Sequence, residues 1–174
     1  MLKNSTPIFD NWKKTALAKQ DKSKKGSFDK EIISQITLLN AHPDYFTTSS
    51  CAGRISLWKE PKSGKKKDGG WLLVAHSQIT KREVLTALRK IPEETIWLRL
   101  EPFIMHVCCR DIGAANRLLT VAQKVHKKSH FLSIKHKIII EIIGSEFIDV
   151  PIAENGKMCI VSQYLDFLIR KVSK

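Results

Sequence analysis

Two serines, a cysteine, a glycine and an arginine lie within six positions in Ser49-Ser50-Cys51-Ala52-Gly53-Arg54. At a strand end these side chains can bring hydroxyls, backbone N–H groups and a guanidinium to one anion. Glycine admits close approach, and arginine binds a carboxylate or phosphate bidentately. The plainer alternative is a hairpin with Ser and Thr facing solvent and Cys51 filling a small gap. Cys51 works as a nucleophile only if a basic neighbour, Arg54, His76 or His106, favours its thiolate. His76 and His106 end or interrupt apolar strands, and an imidazole there can move a proton. Against that stands a half-buried histidine with one satisfied hydrogen bond. His106 with Cys51, Cys108 and Cys109 lacks paired C-x-x-C or H-x-x-x-H spacing, and adjacent strand residues point to opposite faces. No metal site is expected.

The elements that must position these groups follow from periodicity. Phe9, Trp12, Lys13 and Leu17 are spaced for a short helix. Ser27 reads as the N-cap of a second helix carrying Ile32, Ile33, Ile36 and Leu39, which must stop before Pro43. Strands are predicted at 45–50, 53–58, 71–76, 95–100, 103–109, 129–134, 137–143 and 146–152. Thr80 with Glu83 three residues later is a capping-box pattern, Asp111 caps a further helix, and 161–172 closes the chain as a helix. Strand then helix occurs at 71–88 and again at 103–122, an order that admits an internal duplication, although no fixed-period repeat is visible. The expected fold is α+β, one compact domain over 1–174 with a mixed β-sheet flanked by helices, and a mobile basic loop at 59–70.

The chain has 174 residues, 43% of them hydrophobic, which suits one domain with an ordinary core. Thirty Lys and Arg against seventeen Asp and Glu leave a formal charge of +13, a surplus that attracts polyanions. It is concentrated near the start, in 59–67, and between Asp111 and Glu141, where no acid occurs. Nucleic acid is the expected partner. No apolar run is long enough for a membrane span and no secretory signal opens the chain, so a cytoplasmic protein with free thiols is expected. Phosphate-loop and dinucleotide glycine patterns, zinc fingers and RNP aromatics are all missing.

Four blocks carry a resemblance: Asp21-Lys22-Ser23-Lys24-Lys25-Gly26-Ser27, Ser49-Ser50-Cys51-Ala52-Gly53-Arg54, Trp71-Leu72-Leu73-Val74-Ala75-His76 and Glu101-Pro102-Phe103-Ile104-Met105-His106-Val107. In order and spacing they resemble the tRNA wybutosine-synthesizing protein 3 family, over about Phe9 to Val172. The resemblance implies an S-adenosyl-L-methionine-dependent methyltransferase. Its substrate would be the N-4 nitrogen of the tricyclic wyosine-precursor guanosine beside the anticodon of phenylalanine tRNA. The partner it implies is the anticodon loop of that tRNA, and a monomer without structural metal is expected. On that footing Ser49, Ser50, Cys51, Gly53, Arg54 and Ser129 are cofactor-binding candidates, with Arg54 meeting either the methionyl carboxylate or a tRNA phosphate. His76, His106 and Glu101 are candidates to orient the base or accept its proton, and Asp21, Lys22, Lys25, Lys127 and Lys128 to bind RNA. One departure stands out. Where the family carries a turn of the type Gly-Phe-Lys-x-Ser-Gly, this chain has Val125-His126-Lys127-Lys128-Ser129-His130, and the bulkier Val125 and His130 are expected to narrow a cofactor pocket. The alternative function is a tRNA-binding protein that keeps the basic face and lacks catalysis.

Overall fold

The computed structural model describes residues 6–18, 29–64 and 68–173. Ser27 and the block from Asp21 to Ser27 lie outside them, as do Lys65, Lys66 and Lys67 of the basic loop. The fold is α+β as the periodicity implies, but the strands form two sheets in which every pairing is antiparallel, in place of one mixed sheet. The chain divides into two compact units, residues 1–52 with 103–145 and residues 53–102 with 146–174.

In the first unit, strands β1 (Tyr45–Cys51), β5 (Ile104–Cys109), β7 (Ile138–Ile143) and β6 (His130–Ser133) are neighbours in that order. Alternation sends Met105, Val107, Cys109, Ile138, Ile140 and Ile142 to one face. There Ile36 of α2 (Ile33–Ala41) and Ala114, Ala115 and Ala122 of α4 (Ile112–Ala122) bury them. The other face of the sheet presents Phe46 and Cys108 to Phe9 of α1 (Thr6–Leu17). The two adjacent cysteines therefore enter different cores. Burial pushes the Cys108 thiol up to about 11 and the Cys109 thiol up to about 12. Arg110 pins α1 to the sheet end: its guanidinium lies 4.5 Å over the Phe9 ring and donates to Asp44 and Asp10 at 3.0 and 2.8 Å. Asp111 caps α4, accepting from the Ala114 amide at 2.7 Å. Two cations of the basic stretches are used inside this unit. Lys13 donates to the His42 carbonyl, and Lys137 lies 4.9 Å over Trp12.

In the second unit the order is β3 (Gly70–Ala75), β2 (Arg54–Lys59), β4 (Ile96–Glu101), β8 (Ile148–Glu154) and β9 (Lys157–Met158). Ile55, Leu57, Ile96, Leu98 and Ile152 face a core closed by Val84 of α3 (Lys81–Ala87) and Leu165, Leu168, Ile169 and Val172 of α5 (Ser162–Val172). The capping box at α3 forms as its pattern predicts: Thr80 accepts from the Glu83 amide and Glu83 accepts from the Thr80 amide. The Thr80 hydroxyl also donates to the Glu83 carboxylate at 2.6 Å, and this bond, with that of the Thr80 amide, holds the Glu83 carboxyl below its ordinary range.

Two expectations change. Ser49 to Arg54 is no hairpin, because β1 pairs with β5 while β2 pairs with β3 and β4. Nor do the two strand-then-helix segments match in placement: β3 is the edge of its sheet and β5 lies inside its own. A duplicated segment would occupy the same position twice.

Candidate functional site

A polar row crosses the first unit's sheet. Register sets Ser49 opposite His106, His106 opposite Glu141, and Glu141 opposite His130, one residue from each of four strands. A bulge makes this possible. The register of β1 shifts between Thr47 and Ser49, so Thr48 has no partner and Ser49 takes the position opposite His106. Bonds follow the register: Ser49 Oγ lies 2.8 Å from His106 Nδ1, and His106 Nε2 lies 2.8 Å from Glu141 Oε2. His130 Nε2 approaches the other Glu141 oxygen at 3.6 Å. An ionised carboxylate only accepts, so Nε2–H donates to Glu141, and in the neutral ring Nδ1 takes the Ser49 hydroxyl hydrogen. Ser49 is exposed, whereas the Glu141 side chain is 14% exposed. The row is therefore open at both ends, Ser49 and His130, and shielded at Glu141 between them. Serine, histidine and carboxylate in this order can sharpen the serine as a nucleophile, or draw a proton from a group placed at the serine.

The turn after β1 is less open to ligands than its sequence suggests. The Ala52 amide donates to the carboxylate of buried Asp29 at 2.9 Å, so an anion of the chain's own holds that N–H. The Ser50 hydroxyl is buried without a hydrogen-bond partner. Cys51 is half-buried. Ser129 is 2% exposed and its hydroxyl donates to the His126 carbonyl at 2.7 Å, closing the turn that leads into β6. Lys127 and Lys128 are exposed on that turn.

In the second unit, Gly53 has φ of 98°, a left-handed conformation suited to glycine. Its carbonyl accepts from His76 Nδ1 at 3.0 Å, which fixes the proton of a neutral ring on Nδ1. Arg54 and Glu101 are opposite each other in the register, and their side chains form an ion pair through Nε. Glu101 is thus the partner of Arg54. The Arg54 guanidinium lies 4.7 Å over the Trp71 ring. Trp71, Trp58 and Trp97 occupy one register row across β3, β2 and β4, with Arg99 5.9 Å over Trp58 and 5.8 Å over Trp97. Gly69 allows this: a Cβ there would sit 2.2 Å from Trp58 Cζ2.

Of the sequence candidates, Ser49 and His106 meet in one unit, and Gly53, Arg54, His76 and Glu101 belong to the other. Asp21, Lys22 and Lys25 lie outside the described residues. Sequence reasoning missed Glu141, Asp29 and the clustering of the tryptophans. Glu141 did carry a signal, as the one acid in the strand Ile-Ile-Ile-Glu-Ile-Ile: alternation places it on the face opposite the core.

The family described as Methyltransferase TYW3 matches residues 10–174, across both units. The chain belongs to the methyltransferase TYW3 family. Among TYW3 relatives it is 35% identical over 166 residues, 92% of this chain, to the tRNA wybutosine-synthesizing protein 3 homolog of Mus musculus, of whose length it spans 64%. It is 35% identical over 167 residues to a protein of Pyrococcus abyssi named tRNA(Phe) 7-((3-amino-3-carboxypropyl)-4-demethylwyosine(37)-N(4))-methyltransferase 1, spanning 94% of this chain and 86% of that one. The solved structure of PH1069 protein from Pyrococcus horikoshii matches with a TM-score of 0.88 at 33% identity, covering 97% of this chain and 88% of that one. Within the TYW3 match, the two bulky residues of the departure at 125–130 are exposed, Val125 at 76% and the His130 side chain at 53%. Among the described residues, no helix is long and apolar enough to cross a membrane.

Proposed function

We propose that this chain transfers a methyl group to the N4 nitrogen of a 4-demethylwyosine-type guanosine beside the anticodon of phenylalanine tRNA, with S-adenosyl-L-methionine as donor, in the cytoplasm. The observation that carries the reading is the Ser49–His106–Glu141 row in a chain of the TYW3 family. Forming the N–CH3 bond at a ring N–H releases one proton, and the row supplies a place for it. Ser49 takes the ring proton as it gives its own to His106 Nδ1, and the imidazolium is held through Nε2 by the Glu141 carboxylate. The new positive charge arises against a fixed negative one in a partly water-excluded setting, which is where such stabilisation is strong.

The donors present suit S-adenosyl-L-methionine. Arg54 spends Nε on Glu101 and keeps terminal N–H groups for a carboxylate, next to a glycine whose backbone a ligand can approach. When bound, the cofactor supplies a methyl group on a sulfonium, and Gly53 and Arg54 would hold its carboxylate. His76 would orient the base. Lys127 and Lys128, with Lys22 and Lys25, would meet the RNA backbone, whose charge the surplus of +13 complements, and Asp21 would contact the substrate base.

The test is incorporation of labelled methyl from S-adenosyl-L-methionine into phenylalanine tRNA carrying the demethylated base. The expected result is saturable incorporation at that nucleotide. Tight tRNA binding without incorporation would overturn the enzyme reading in favour of a binding protein.

A further inference from the structure

The second unit's sheet carries a cavity of about 260 Å³ on the face away from α3 and α5, lined by Arg54, Trp58, Glu60, Trp71, Arg99 and Glu101 among others. We propose that this slot takes one unpaired nucleobase of the RNA substrate, stacked among indole and guanidinium planes. The inference rests on the tRNA reading above and extends it to a second RNA contact.

Size argues for a single ring. The volume lies below the roughly 300–1,000 Å³ that encloses a drug-sized ligand and suits one planar ring system. Chemistry argues for a base. Trp71 is 41% exposed although it is a large indole on a strand, and the Arg54 guanidinium carbon lies 4.7 Å from its ring centroid. Trp58 meets Trp71 at 4.5 Å and 58°, so the walls are planar groups at an angle. Stacking on aromatic rings and arginine planes is how proteins hold unpaired bases, and it works for any base because each has a π-face. One acid of the slot is paired with a cation and the other is held by a neutral donor. Glu60 accepts from Trp97 Nε1 at 2.8 Å, and Glu101 is paired with Arg54. Ser56, on the same face of β2 as Arg54 and Trp58, is fully buried with a hydroxyl lacking a hydrogen-bond partner. Lys62 is exposed on the Pro61–Gly64 turn that rims the cavity, placed for a phosphate.

The experiment compares the wild-type chain with Trp71→Leu and Trp71→Phe for binding to three probes: a stem–loop RNA of the phenylalanine anticodon arm, a fully paired duplex of the same stem, and S-adenosyl-L-methionine. Trp71→Leu is expected to weaken the stem–loop about tenfold, to leave the duplex unchanged, and to leave the cofactor within about threefold. Trp71→Phe should recover most of the loss. Equal losses on stem–loop and duplex overturn the proposal, because a structural or purely electrostatic role does not distinguish paired from unpaired RNA. A loss confined to S-adenosyl-L-methionine overturns it in favour of the cofactor's adenine. A wild-type chain that binds no RNA overturns both this proposal and the tRNA reading. Trp71-dependent loop binding without methyl transfer supports the slot and overturns only the catalysis. A second measurement needs no variant: a 4-thiouridine-substituted stem–loop crosslinked to the wild-type chain should mark the peptide holding Trp58 or Trp71, and crosslinks only elsewhere overturn the slot.

Discussion

Replacing Glu141 by Gln keeps the size of the side chain and leaves an amide oxygen to accept from His106 Nε2, so what is lost is charge. The bond spans 2.8 Å between side chains 26% and 14% exposed, and is screened by solvent on one side only. A charge-assisted hydrogen bond is roughly twice as strong as a neutral one, and a typical net bond is worth about 1 kcal/mol, so the change should cost about 1–1.5 kcal/mol. That energy matters in the transition state, where the imidazolium forms, and corresponds to about a tenfold fall in kcat. His106→Gln removes the acceptor and should cost about 10²–10⁴-fold. The double variant should be no slower than His106→Gln alone, because without an imidazole Glu141 has no charge to stabilise. The assay is steady-state methyl transfer at saturating cofactor, with circular dichroism to confirm folding. KM for tRNA should stay unchanged. The reasoning is refuted if folded Glu141→Gln keeps wild-type kcat, or if either variant raises KM at constant kcat, since that is the mark of lost ground-state binding.

Gly69→Ala forces a Cβ to 2.2 Å from the Trp58 ring and should destabilise by about 1–3 kcal/mol, read as a lower Tm and a perturbed near-ultraviolet indole signal. Thr80→Ala removes the hydroxyl that accepts from the Glu83 amide and should cost about 1 kcal/mol in urea unfolding, with methyl transfer unaffected. Cys108 and Cys109 bind their protons more tightly when folded than in the unfolded chain, where thiols titrate near 8.5. Above that pH the unfolded state holds fewer protons, so stability should fall as pH rises towards 11–12, and a Cys108→Ala, Cys109→Ala variant should show a flatter fall in urea titrations at pH 8 to 10.5. With a disulfide reagent at neutral pH, exposed Cys159 should react fast in the native state, and the two buried thiols only on unfolding.

Local chemistry was legible in the sequence, and long-range pairing was not. The Thr80–Glu83 box and the Asp111 cap use residues three apart, so their bonds follow from spacing alone. Strand positions were legible too, since Ile138 to Ile143 and Trp71 to Ala75 advertise extended, β-branched or apolar runs. Which strands join is decided by contacts far apart in the chain. Ser49 and His106 are 57 positions apart, and His106 and Glu141 are 35 apart. The bulge at Thr48 that aligns the first pair has no local signature. Asp29 shows the same limit from the other side: a turn whose composition suits an external anion is held by an internal one, through a bond spanning 23 positions. Spacing also does not separate the strand tryptophans: Trp58 is 8% exposed and Trp71, on the sheet edge β3, is 41% exposed.

The two units are interleaved along the chain, with divisions after Ala52, Pro102 and Ser145. As the polypeptide leaves the ribosome, β1 emerges more than fifty residues before its ladder partner β5, and the four-stranded sheet stays unfinished until β7 has been made. The five-stranded sheet begins later, with β2, and its core waits for α5 at the far end of the sequence. Neither unit can be cut out as one contiguous fragment, and a ribosome stalled near residue 102 would display the bare edge of β1 to any chaperone or neighbouring strand. Slow zones of translation, if this chain's message has them, would do least harm after Ser145, where every strand of the first sheet is already available.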